Sequence, residues 1–77
     1  MFNWFVARDD VKQRMAELEE RISGLREKLR QVAEGTVEST TTQQILLVRE
    51  QELERVRLHA EFIDYRIAKF RAKMFRR

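Results

Sequence analysis

Two stretches carry the side chains best suited to chemistry with a partner: MFNWFV at residues 1–6 and KFRAKMFRR at residues 69–77. Trp4, Phe5 and Phe75 offer flat apolar surface, while Arg71, Lys73, Arg76 and Arg77 offer positive charge. Such a mixture can hold nucleic-acid phosphates with bases stacked on the rings, an anionic membrane surface, or an acidic protein. The charge is unevenly placed. Residues 1–65 carry ten bases against thirteen acids, whereas residues 66–77 carry six bases and no acid. Part of this ending has a plainer cause, because bases in the last turn of a helix complement its dipole.

Other reactive side chains do not assemble into a recognisable site. His59 is the only histidine, and neither Glu52 nor Glu61 stands three or four residues from it, the spacing of a close same-helix pair. Glu50 and Glu54 make an acid pair without a histidine cluster, and read as solvated charge. Ser23 and Ser39 lack a nucleophile elbow, and no HExxH, EF-hand, phosphate-loop or dinucleotide motif occurs. Cysteine is absent, which removes disulfides, thiolate chemistry and cysteine-containing zinc sites. These features point to a chain that is not an enzyme, with no catalytic, metal or cofactor site. A symmetric dimer that brought two His59 rings together would be the one exception.

The elements that must position the two ends are helices. Proline is absent and Gly24 and Gly35 are the only glycines, a composition that suits long helices and suits a multi-turn β fold poorly. From Val11 the apolar residues fall at Met15, Leu18, Ile22, Leu25, Leu29 and Val32, with gaps alternating 4 and 3. A second run covers Leu46, Arg49, Leu53, Val56, Ala60, Ile63, Ile67, Phe70 and Met74, again by threes and fours. Both are heptad seams built for a partner helix.

The expected boundaries are helices over residues 4–33 and 41–75, joined by residues 34–40, in one domain over 1–77. Asn3 can cap the first helix, with Asp9 or Asp10 as a later alternative. Gly35 is expected to end the first helix in a left-handed conformation, and the second to start between Thr40 and Thr42. Gly24 reads as a solvent-facing glycine, and Arg49 as a seam residue that snorkels to solvent, with pairing to an acid as the alternative. If opposing seam positions sum to about 75, a short hinge brings Trp4 to Phe70 or Arg71. The two unusual ends then become neighbours.

The second helix has a further apolar face at Leu58, Phe62, Tyr65 and Ala72. A helix that is apolar on two sides needs cover on two sides. The expectation is therefore all-α: an antiparallel two-helix hairpin, a helical coiled coil whose copies dimerise into a four-helix bundle. Within residues 25–57, the segments LREKL, GTVES and LVREQELERVR resemble a small ribosomal large-subunit protein family. That resemblance implies an antiparallel helical hairpin that binds ribosomal RNA.

The leading functional expectation is a homo-oligomeric interaction or assembly module that presents a basic aromatic end, made by Trp4, Phe5, Arg71, Lys73, Phe75, Arg76 and Arg77, to a macromolecular partner. A nucleic-acid-binding hairpin and a peripheral membrane protein are the alternatives. No apolar run approaches the roughly 20 residues that span a bilayer. MFNWFV also lacks the basic start and long apolar region of a signal peptide, so the expected location is cytoplasmic.

Overall fold

The computed structural model describes residues 2–75. It contains two helices, α1 over Trp4–Gln31 and α2 over Val37–Phe75, packed against each other. Lys28 meets Glu38 beside the turn, Arg14 meets Glu52 midway, and Arg71 lies over Phe5 at the far end. That order makes the pair an antiparallel hairpin. The rod measures 63 × 19 × 14 Å.

Asn3 starts α1. Its backbone is extended, and its side-chain oxygen accepts from the N–H groups of Phe5 at 3.0 Å and Val6 at 3.2 Å. Two otherwise orphaned donors are thereby satisfied, and Trp4 becomes the first helical residue. At the other end α1 stops at Gln31, earlier than expected. The N–H of Val32 donates to the Lys28 carbonyl at 3.2 Å, and the chain then turns extended at Val32 itself. Gly35, at φ +77°, lies in the turn that follows and does not terminate α1 directly.

The second helix starts at Val37, several residues before the expected Thr40–Thr42 window. Thr36 supplies the reason. Its hydroxyl donates to the Ala33 carbonyl at 2.7 Å and accepts from the Ser39 N–H at 3.1 Å, tying the turn to the first helical turn. Among the hydroxyl residues that follow, Thr42 donates to the Glu38 carbonyl at 2.8 Å, which satisfies its hydroxyl within the helix. Ser39 and Thr42 are buried and extend the alternating seam back from Leu46, placing small side chains where the helices converge.

Leu18, Ile22, Ile63 and Ile67 form the buried core, with Ile63 at 0% exposure. The other seam residues as far as Ala60 are half-buried, since two helices cannot cover a seam from every side. Arg49 does not snorkel free. It donates to Glu52 Oε2 at 3.0 Å while Arg14 of α1 donates to Glu52 Oε1 at 3.0 Å, so one carboxylate holds a base from each helix. Gly24 sits on the outer side of α1, where an added Cβ would meet nothing within 4 Å.

The helices are unequal, at 28 and 39 residues, or roughly 42 and 58 Å at 1.5 Å rise per residue. Consequently α2 overhangs α1 at the open end. Phe70 and Met74 hold seam positions but are exposed: Phe70 borders only the first turn of α1, which leaves it 48% open, and Met74 follows it one turn further along α2. Among the described residues, no helix is long and apolar enough to cross a membrane.

Candidate functional site

The first turn of α1 and the last turns of α2 meet at the open end, as antiparallel pairing requires. Trp4 is half-buried there, edge-to-face with Phe2 at 4.5 Å and with Phe62 of α2 at 5.9 Å between ring centroids. The Arg66 guanidinium lies 5.2 Å from the centre of the Trp4 ring. Phe5 has two guanidinium neighbours, Arg8 at 5.5 Å and Arg71 at 5.6 Å. Lys69 sits 6.0 Å from the Tyr65 ring centre. Each such contact is worth about 0.5–1 kcal/mol at an exposed site, enough to orient a side chain without removing its charge.

A cleft of about 280 Å³ opens between Phe2, Asn3, Trp4, Phe5 and Phe70. Beside it, Trp4, Arg66, Lys69, Phe70 and Lys73 line another of about 210 Å³. The larger groove along the rod has a different character. Its bases are matched by acids, with Arg26 to Glu50 at 3.4 Å, Arg30 to Glu27 at 3.1 Å and Arg57 to Glu54 at 3.5 Å. At the open end Arg66, Lys69, Arg71 and Lys73 have no acid within 4.0 Å among the described residues. Arg8 reaches Asp9 only at 4.0 Å, and its buried Nε has no hydrogen-bond partner.

Of the residues singled out from the sequence, Trp4, Phe5, Arg71, Lys73 and Phe75 share this end. Trp4 is half-buried and Phe5 has two arginines as neighbours, while Phe75 is 80% exposed. Arg76 and Arg77 lie outside the described residues. Leu58, Tyr65 and Ala72 are exposed along α2. Phe62 is exposed too but contacts Trp4 within the same chain, so it is shared between the outer face and the end cluster.

Sequence reasoning missed the ring partners Arg8, Arg66 and Lys69. Two had a readable signal: Arg8 stands three residues after Phe5, and Lys69 four after Tyr65, both neighbouring positions on a helix surface. The Arg66 contact crosses between helices and depends on the reach of the Trp4 ring. Among the described residues, no three His, Asp or Glu side chains gather as metal ligands would.

Fold and site together define a class: a two-helix hairpin with a charge-paired shaft and one basic aromatic end. Compared with known proteins, the chain matches no family, no curated sequence and no solved structure. The likeness to the ribosomal hairpin family therefore rests on common helix residues alone.

Proposed function

We propose that this chain is a non-enzymatic interaction module that self-associates along α2 and presents its open end to an anionic macromolecular partner. The observation that carries this reading is the end itself, where exposed Phe2, Phe70, Met74 and Phe75 stand among bases without acid partners. Exposed apolar surface is costly to leave facing water, and the like charges crowded around it favour a partner of opposite charge.

Self-association has its own support. Leu58, Phe62 and Tyr65 are each more than half exposed on one outer stripe of α2, continued by Ala72. A rod one helix pair thick has no further element to cover that stripe, and a second copy provides one, giving a four-helix bundle. Sedimentation velocity on the full chain tests this. A dimer is expected at micromolar concentration, with association weakened about tenfold or more by combined Leu58→Gln and Tyr65→Gln and unchanged by Glu19→Gln. A monomer from micromolar to millimolar concentration sinks the assembly.

A further inference from the structure

The geometry points to an anionic lipid surface as the partner of the open end, with Phe70, Met74 and Phe75 entering the interface and Arg66, Lys69, Arg71 and Lys73 meeting the headgroup phosphates. This assignment names the partner of the basic aromatic end and rests on that reading of it.

The first argument is the layout of the overhang. Seam positions 63, 67, 70 and 74 follow helical spacing, and α1 buries Ile63 and Ile67 but leaves Phe70 and Met74 open. Each of Ile67, Phe70 and Met74 is immediately preceded by a base, Arg66, Lys69 and Lys73. At 3.6 residues per turn these bases line one flank of the apolar stripe, and Arg71 lies on the other. Long basic side chains in that position lay their stems along an apolar edge and hold their charges at headgroup depth. An apolar stripe bordered by bases offers a lipid interface both kinds of contact, apolar groups for the acyl boundary and cations for the headgroups.

Cations already cover several of the rings at this end, which leaves fewer faces for nucleic-acid bases. Stacking of bases requires open aromatic faces. Here Arg66 stands over Trp4, Arg8 and Arg71 over Phe5, and Lys69 over Tyr65. The apolar side chains left most open at this end are Phe2 at 65%, Phe75 at 80% and the aliphatic Met74 at 62%, a mixture of flat and flexible groups that a lipid interface accepts alike. Charge complementarity completes the case, since residues 2–8 and 65–75 include Arg8, Arg66, Lys69, Arg71 and Lys73 and no acid. The net negative remainder of the rod would be held away from an anionic surface, so docking is end-on.

The test is co-sedimentation of the full chain with phosphatidylcholine vesicles, with and without phosphatidylserine, at low ionic strength. A parallel arm uses single-stranded RNA homopolymer. Binding is expected only to the phosphatidylserine vesicles. Joint Lys69→Gln, Arg71→Gln and Lys73→Gln should lower the partition coefficient roughly a hundredfold, at about fivefold per base. Met74→Ser with Phe75→Ser keeps every charge and alters two exposed side chains, and should lower it about tenfold or more with helix content unchanged. Full binding by that double variant overturns the assignment. RNA binding without vesicle binding also overturns it while leaving the basic end as an anion-binding surface; failure of both arms removes the end-binding reading as well.

Discussion

The overlapped shaft and the overhang carry the same seven-residue pattern and reach opposite outcomes. In the shaft, Ile63 and Ile67 are buried and most of the bases find carboxylates, with Glu52 holding Arg14 and Arg49 at once, although Lys12, Arg21 and Arg55 have no acid within 4.0 Å among the described residues. One or two turns further along α2, Phe70 and Met74 occupy equivalent positions and face solvent, and the nearby bases lie over rings where they have a partner at all. A heptad pattern specifies where a stripe runs. It does not specify how much of that stripe the partner helix is long enough to cover.

The most severe challenge to this comparison is to truncate one residue on each side of the boundary. Ile63→Ala should cost about 2–5 kcal/mol, because it removes fully buried atoms from a core of few residues. Met74→Ala should change stability by less than about 0.5 kcal/mol, as exposed substitutions do. Urea denaturation followed by circular dichroism reads both. Comparable losses would mean that another surface, such as a second copy, already covers the overhang.

Charge pairing gives a milder version of the same challenge. Glu52→Gln leaves Arg14 and Arg49 without their shared carboxylate, and should cost about 1 kcal/mol, the upper range for partly exposed pairs. Lys73→Gln breaks no ion pair among the described residues and should leave the denaturation midpoint where it was. Raised salt should narrow the Glu52 difference, since screening weakens the pair in the unsubstituted chain.

The helical hairpin was legible because two uninterrupted heptad runs and a break between them admit few other arrangements. The meeting of the two ends, with Trp4 and Phe70 lining one cleft, followed from antiparallel arithmetic, whereas Arg71 lies over Phe5 and the Trp4 ring contacts Phe62 and Arg66. The start of α2 was not legible, because threonines near a turn serve equally as loop residues, caps or helix residues. Only the particular hydrogen bonds of Thr36 and Thr42 decide among these roles. The exposure of Phe70 was not legible for a geometric reason: seam periodicity says nothing about where the shorter helix stops. The Arg49 pairing needed a third residue, since Glu52 is attractive as a partner only once Arg14 is known to arrive from the other helix.

Effects no larger than that of Glu52→Gln come from the two glycines, and they test the outer side of the shaft. Gly24 lies mid-helix with open space around it, so Gly24→Ala removes the backbone freedom of the unfolded chain without meeting a neighbour. Stability should rise by up to about 1 kcal/mol, visible as a higher urea midpoint with an unchanged slope. Gly35 also has space, yet its φ of +77° disfavours any side chain, and Gly35→Ala should lower stability by about 1 kcal/mol. Opposite signs at two equally uncrowded glycines would show that backbone conformation, not contact, sets both effects. A loss at Gly24 would instead place another helix against the outer side of α1, and the shaft would then need a covering partner as much as the overhang does.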